Sequence, residues 1–387
     1  MGLRGATALV GAYDTAVGIV PDRTPTELCA EAIRGALSDA GLSLHDVDGL
    51  ITCNAMAQPI PYHAEAMAEY LQVFPSMCLT LPTGGGTTVS ALAQAAAAIQ
   101  AGLADTVVLA MADSLRSGLS RQQAMQVQSS TGHPDFEQPY GPTVPAYYAF
   151  IAQAHMAQYG TRPEQFARIA VDTRSHAARN PSAQMREAIT IEDVLASRPI
   201  ADPLRLLDCS LVSDGGAAVV ITTAERARQL QQPPVYCLGF GEGHSHEHIS
   251  QARSLTSSAA KQSGAAALSM AGLGPADMSF AQLYDCFTPA VLVELEDLGF
   301  CPKGEAGAYL ESEGMGPEAA LPINTHGGML SHCHPGNPGA MFALTEAVRQ
   351  LRGHCGERQV ADARAALVHA QGGIMSSHAT LVLGAEL

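Results

Sequence analysis

Residues 36–46 read ALSDAGLSLHD and residues 267–277 read ALSMAGLGPAD. Both begin with Ala-Leu-Ser, carry Ala-Gly-Leu at the same offset and end in Asp. Each reads as the end of an amphipathic helix, with Gly41 or Gly272 as the C-cap. A short apolar strand follows each, VDGLITC at 47–53 and SFAQLYDCF at 279–287. Downstream, Gly84-Gly85-Gly86 precedes the helix VSALAQAAAAIQAG, and HGGMLSHCHPGNPG precedes AMFALTEAVRQLRG. A strand follows each helix (DTVVLAMADS, RAALVHAQGG), and each half closes on another β-rich run, DGGAAVVITT and SHATLVLGAEL. Two Ala-rich helices can match by chance over eleven residues, but chance does not repeat the order of the elements that follow.

Strands alternating with helices predict parallel sheets covered on both faces, here in a duplicated α/β fold with halves 1–230 and 231–387. Residues 115–200 have no counterpart in the second half. They read as an inserted, partly helical loop region, of the kind that often forms a substrate pocket. The run Ala95 to Ala98 reads as close helix packing in the core.

The 387 residues, 47% hydrophobic and 15% charged, suit two packed halves around a large core. No apolar run approaches the length of a membrane-spanning helix, and MGLRGATALVGAYDT lacks the basic and apolar regions of a secretory signal. A formal charge of −16 without a basic block argues against non-specific nucleic-acid binding. An anionic ligand must then be held by local groups, against the global field. Nine cysteines, an odd number without CxxC pairs, suit a reducing compartment. The expectation is a soluble cytoplasmic protein.

Several stretches together resemble the thiolase superfamily, specifically its sterol-carrier-protein-x or lipid-transfer-protein branch: ALVGAYDT, FEQPYGPTVPAYYAFIAQAHMAQYGT, ADPLRLLDCSLVSDGGAAVV at 201–220, YDCFTPAVLVELEDLGFC at 284–301 and INTHGGMLSHCHPG at 323–336. The resemblance implies αβαβα layers, with two mixed sheets around buried helices, a homodimer, and acyl-CoA as substrate. It also shows what is missing. Thiolases carry a nucleophilic Cys just before a central helix, where a helix N-terminus favours the thiolate. Counting back from Ala91-Leu92 puts Gly85 there. Cys78, seven residues upstream, reads as a packed strand thiol. The second thiolase Cys corresponds to Ala370 in HAQGGIMSSH. Without either thiol, condensation or thiolysis through an acyl-cysteine is not available.

Two polar groups remain at family positions. Tyr284-Asp285-Cys286-Phe287 stands where thiolases have Asn-Glu-Ala-Phe, or His-Asp-Cys-Phe in the lipid-transfer branch, so a phenol replaces Asn or His. Cys333-His334-Pro335 matches the Gly-His-Pro loop, whose His faces the thioester. A Tyr ending a buried strand is commonly a core residue whose hydroxyl finds a partner, and a loop His before a helix is commonly a cap. The family positions favour function for both. His326 and His332 match no family catalytic position. Backbone N–H groups of Gly327, Gly328, Gly372 and Gly373, with Gly85, are candidates to line the substrate or oxyanion pocket. His244, His246 and His248 alternate along an extended segment and suit zinc chemically, but no cysteine or carboxylate constellation frames them, so no metal site is expected. Met270, Met278 and Met315 suit an adaptable apolar site, though such residues are more often core filler.

A thiolase scaffold without cysteines can still hold a thioester and stabilise its enolate. The resemblance lies nearest to cysteine-less lipid-transfer-type aldolases, which cleave β-hydroxyacyl-CoA by retro-aldol reaction in steroid side-chain degradation. They use tyrosines as acid/base groups and work with a small OB-fold/zinc-ribbon partner. Those aldolases have a second Tyr where this chain has His334. The expected activity is therefore a carbon–carbon lyase acting on acyl-CoA. Tyr284 and His334 would be its catalytic groups, and no cofactor would be needed beyond the CoA of the substrate, zinc belonging to the partner. The expected assembly is a homodimer, extended to a heterotetramer by the partner. Two alternatives stay open: an acyl transfer or condensation subunit, and a non-catalytic acyl-CoA- or lipid-binding scaffold.

Overall fold

The computed structural model describes residues 2–387. Its main elements are β1 (Thr7–Asp14), α1 (Pro25–Ala40), β2 (Gly49–Thr52), β3 (Met77–Thr80), α2 (Thr87–Gln100), β4 (Thr106–Ser114), α3 (Val144–Tyr159), α4 (Pro163–Ala178), β5 (Asp214–Thr223), β6 (Val235–His244), α5 (Ala260–Ala271), β7 (Phe280–Gln282), α6 (Thr288–Asp297), α7 (Gly339–Leu351), β8 (Ala365–Gly372) and β9 (Ser377–Gly384).

The repeated sequence is a repeated structure. Helix α1 starts at a capping box in which Thr24 accepts from Glu27 N–H and Glu27 accepts from Thr24 N–H. It stops at Gly41, whose φ of 70° lets its N–H turn back to Leu37 and Ser38. Helix α5 stops the same way at Gly272, φ 69°, bonded to Leu268 and Ser269. Each helix lies so close to the first strand of its half that a side chain cannot intervene. A β-carbon on Gly11 of β1 would sit 2.0 Å from the carbonyl oxygen of Ala36, and one on Gly239 of β6 would sit 2.0 Å from that of Ala267. Ala36 and Ala267 are the first residues of the two repeated segments.

The strands form one sheet in the order β3-β2-β4-β5-β1-β6-β9-β8-β7. Each half has its first strand beside its last, and the halves mirror each other about the β1–β6 seam. On the C-terminal edge, Ile323 makes a single parallel bridge to Ala281, where the second half would place its third strand. The two expected sheets are thus joined by a short antiparallel ladder, Ala8–Tyr236 and Leu9–Val235. Alternation alone predicted parallel pairing, and this holds only for β2 with β3 and β4 and for β7 with β8. The remaining pairs are antiparallel. Strands β8 and β9, for example, are joined by a four-residue turn that leaves no room for a crossover.

Helices α2 and α7 touch each other and strands of both halves, while α1 covers the outer face of the first half and α5 that of the second. This gives the αβαβα layering with a buried helical centre. Leu92, Ala95 and Ala96 of α2 and Met341, Phe342 and Leu344 of α7 are fully or almost fully buried. Ala98 is also buried and Ala97 faces outward. The inserted region contributes α3 and α4, which pack on α6.

Candidate active site

The central helix α2 begins in a turn of three glycines, Gly84–Gly86, with Gly85 buried. A β-carbon on Gly85 would lie 2.2 Å from the phenol oxygen of Tyr284, 2.3 Å from Cζ of the same ring and 2.5 Å from the carbonyl oxygen of Gln371. The phenol therefore fills the space that a side chain at position 85 would need. The thiolase nucleophile and this tyrosine exclude each other sterically.

Tyr284 was expected at the end of a strand, but β7 stops at Gln282 and Tyr284 lies in the loop before α6. Side chains replace the ladder there: Asn324 Oδ1 accepts from Leu283 N–H at 2.8 Å and Glu294 Oε2 from Tyr284 N–H at 3.0 Å. The phenol is 6% exposed. Among the described residues its one hydrogen-bond partner is His334 Nε2 at 3.4 Å, with the rings edge to face. The other imidazole nitrogen, Nδ1, lies 2.7 Å from Ser210 Oγ. The backbone of His334 is held by Ser213, whose Oγ accepts from His334 N–H and whose N–H donates to His334 C=O.

Burial raises the Tyr284 phenol well above its ordinary value, and the nearby Cys286, Glu294 and Asp285 add to the effect. Burial lowers His334 to about 4. At neutral pH the pair is a protonated phenol beside an uncharged imidazole, an acid next to a base. The next residue, Asp285, ties the two motifs together. Its carboxylate accepts from Met329 and Leu330 N–H, and burial lifts it to about 7 against those donors.

The candidate glycines divide into two groups. Gly327 and Gly328 serve Asp285 and the loop rather than the phenol. Gly327 N–H donates to Asn324, its φ is 102°, and a β-carbon on Gly328 would fall 1.9 Å from Asp285 Oδ2. Gly372 does lie at the site, where the end of β8 crosses the glycine turn of α2. A β-carbon there would sit 2.1 Å from the Thr83 carbonyl oxygen. Gly373 turns the chain with φ 63°, and its carbonyl faces the Tyr148 hydroxyl at 3.5 Å.

Sequence reasoning missed three residues here: Tyr148, Gln371 and Ser210. Gln371 Nε2 donates to the Tyr148 hydroxyl at 2.6 Å, and the Tyr148 ring stacks on Phe287 at 4.4 Å. Tyr148 belongs to the inserted region, so the insertion does reach the site. In the sequence, Tyr147-Tyr148 looks like ordinary helix core, and a lone Ser carries no spacing signal.

Other candidates lie elsewhere. Cys78 is in edge strand β3. Ala370 is buried within β8, paired with Ala379. His326 and His332 are buried edge to face, with ring centroids 5.3 Å apart, and desolvation lowers them to about 3 and about 4. His244, His246 and His248 take separate partners: Ser377 Oγ, the Ile374 carbonyl and the His133 ring. Met278 and Met315 are core residues, and Met270 is exposed. Met329 instead approaches the site, sharing the flank of Gly339 with His334.

Residues 7–225 match the thiolase N-terminal domain family, and residues 241–385 match the thiolase C-terminal domain-like family. A steroid side-chain-cleaving aldolase of Thermomonospora curvata is 36% identical over 99% of both chains. A 17-hydroxy-3-oxo-4-pregnene-20-carboxyl-CoA lyase of Mycobacterium tuberculosis is 38% identical over 99% of this chain and 100% of its own. Among solved structures, an Ltp2-ChsH2(DUF35) aldolase superposes with a TM-score of 0.88 at 35% identity, covering 99% of this chain and 98% of that one. With a family match across both halves and full-length relatives above 30% identity, the chain belongs to the thiolase superfamily, in its lipid-transfer-type aldolase branch.

Proposed function

We propose that this chain is a carbon–carbon lyase that cleaves a β-hydroxyacyl-CoA by retro-aldol reaction, giving a ketone or aldehyde and a shortened acyl-CoA. The full-length relatives are a steroid side-chain-cleaving aldolase and a pregnene-carboxyl-CoA lyase, so a steroid or similarly bulky acyl group is the substrate class. The observation that carries the reading is the replacement of the nucleophile's space by the Tyr284 phenol, with His334 beside it.

The protonation states support the following division of roles. His334, uncharged, takes the proton of the β-hydroxyl on Nε2. The oxygen's electron pair forms the new C=O bond, and the Cα–Cβ pair passes into the thioester as an enolate. Tyr284, protonated, gives its proton to Cα, and the imidazolium then returns the first proton to the phenolate across the 3.4 Å contact. The cycle consumes no proton overall. Before that transfer the phenol donates a hydrogen bond towards the developing enolate, where one placed donor is worth about 3 kcal/mol. A long contact in the free enzyme is ordinary for acid/base pairs that tighten on substrate. An acyl-cysteine route has no thiol at position 85 or 370, which counts against the acyl-transfer alternative.

The assembly follows the same reading. Strand β3 pairs only with β2, its residues are half-buried, and Phe74 and Tyr70 beside it are exposed. An unpaired edge of this kind is a template for a second copy, and we assign the homodimer to it. The solved aldolase is an Ltp2–ChsH2 complex, and a small OB-fold/zinc-ribbon subunit is the corresponding partner here. It completes a heterotetramer and supplies the part of the acyl-CoA entrance that a chain of charge −16 lacks. No cofactor is needed beyond the CoA of the substrate, the zinc belonging to the partner. No helix among the described residues is long and apolar enough to cross a membrane. All nine cysteines are unpaired, which supports the cytoplasm as the working compartment.

The test is mass-spectrometric product analysis of the protein, with and without the partner, on a β-hydroxyacyl-CoA bearing a tertiary alcohol. A ketone and a shortened acyl-CoA, lost in Tyr284→Phe, are expected. Tight CoA-ester binding without cleavage of any such substrate in the partner's presence would move the assignment to a scaffold subunit.

A further inference from the structure

Ser210 lies in the family-like stretch 201–220 that leads into β5, but at no position singled out for the site. Its N–H donates to the Cys286 carbonyl at 2.9 Å, which fixes it to the loop of Tyr284. Its hydroxyl makes one hydrogen bond within the protein, to His334 Nδ1 at 2.7 Å. Three groups thus stand in line: the Tyr284 phenol, the His334 ring and the Ser210 hydroxyl, with the imidazole in the middle.

Two proton arrangements fit the distances. In one, Ser210 donates to Nδ1, and Nε2–H donates to the phenol oxygen. The phenol's own proton then has no acceptor, because His334 is its only partner among the described residues, and Tyr284 is 6% exposed. A buried hydroxyl proton without an acceptor bears its desolvation cost uncompensated. In the other, the phenol donates to Nε2, Nδ1–H donates to Ser210 Oγ, and the partly exposed Ser210 hydroxyl turns its proton outward. Every buried donor is then satisfied.

We propose that Ser210 is a positioning residue that accepts from His334 Nδ1–H and so fixes the tautomer whose bare Nε2 faces Tyr284 and the substrate. This rests on the retro-aldolase reading only for what the base acts on; the tautomer itself is a property of the free protein. The same acceptor remains in place when Nε2 gains a proton, and it then steadies the imidazolium. Ser213 holds the backbone of His334 and leaves its ring to Ser210. The arrangement parallels the general rule that a base is oriented through its second nitrogen.

The experiment is a long-range proton–nitrogen NMR spectrum of the full chain labelled with nitrogen-15 in histidine. The His334 signals are assigned by their absence in His334→Gln. Wild type should show a protonated Nδ1 and a bare Nε2. Ser210→Ala should lose that preference, and its kcat for cleavage should fall about tenfold with KM little changed. Ser210→Thr, which keeps the hydroxyl, should restore both. A protonated Nε2 in wild type, or an unchanged tautomer in a folded Ser210→Ala, would overturn the proposal. The spectrum needs no substrate, so the expected tautomers in a protein that cleaves no β-hydroxyacyl-CoA would leave Ser210's role standing while the retro-aldolase reading fell.

Discussion

At position 85 the absence of a side chain is a requirement of Tyr284. Any β-carbon there meets the phenol at 2.2 Å, far inside contact distance, and the carbonyl of Gln371 blocks the other side. Gly85→Ala should therefore displace the phenol and lower kcat towards the level of Tyr284→Phe, although the methyl group never touches substrate. Removing an acid/base group typically costs 10²–10⁴-fold, so Tyr284→Phe and His334→Gln should each fall by roughly that much, and the two together by little more than either alone, because they pass one proton between them. Steady-state rates of the single and double variants decide this; additive losses would separate the pair. Much of this site was legible in the sequence. The thiolase-like spacing singled out Gly85, Tyr284 and His334, each from its own short motif, and the structure brings the three together. Their mutual exclusion was not legible, since Gly85 and Tyr284 are far apart in the chain and their contact depends on how two halves pack. Ser210 and Tyr148 were not legible for the same reason: each matters only through what it touches.

Elements bring these residues together at one crossing. The glycine turn that opens α2 lies across the end of β8, with Gly84 and Gly372 in backbone contact; a β-carbon on Gly84 would meet Gly372 Cα at 3.0 Å, and one on Gly372 would meet the Thr83 carbonyl at 2.1 Å. The two segments come from opposite halves, so the helix-opening turn of one half meets a strand end of the other in the middle of the molecule. Gly372→Ala should push the start of α2 away from β8 and lower stability by roughly 1–3 kcal/mol, as overpacking of a close contact does. It should also disturb the neighbouring Gln371–Tyr148 bond, lowering activity further than the stability loss explains. Chemical denaturation and kcat measured on the same preparation test it; an alanine variant of native stability would show that the crossing yields without cost. The order of elements was readable from the repeat, and so was their capping, because Gly41 and Gly272 are local signals. Strand direction was not, because alternation of strand and helix says nothing about the turn that returns β9 beside β8. The early end of β7 was hidden for a related reason: Asn324 and Glu294, which take over its hydrogen bonds, lie outside the strand.

On the scale of the whole molecule, the interior holds ionisable groups that folding keeps uncharged. His176, His326, His332 and His378 are buried, and desolvation lowers them to about 4, about 3, about 4 and about 4. An unfolded chain protonates its histidines near pH 6.5. Between pH 6.5 and 4 the unfolded state therefore binds protons that the folded state refuses, and stability must fall as the pH falls. Two carboxyls work in the opposite sense. Asp113 and Asp285 are raised to about 6 and about 7, mainly by burial, so the folded chain keeps protons that the unfolded chain releases until near pH 4. Among these six groups the four histidines outnumber the two aspartates, so their net effect is a loss of stability as the pH falls. Urea unfolding midpoints should thus drop sharply from pH 6.5 to 5, while changing little, or in the opposite direction, between pH 8 and 7, where only Asp285 titrates among these six. His334, also lowered to about 4 by burial, adds to this balance in the same sense and in addition sets the pH dependence of catalysis. Its low value keeps the base uncharged throughout the range in which the fold survives, so kcat should hold level from pH 8 down to the point where unfolding begins. A fall in kcat centred near pH 6.5 in protein that is still folded would mean that the imidazole is not desolvated and that the proton leaves the hydroxyl by another route.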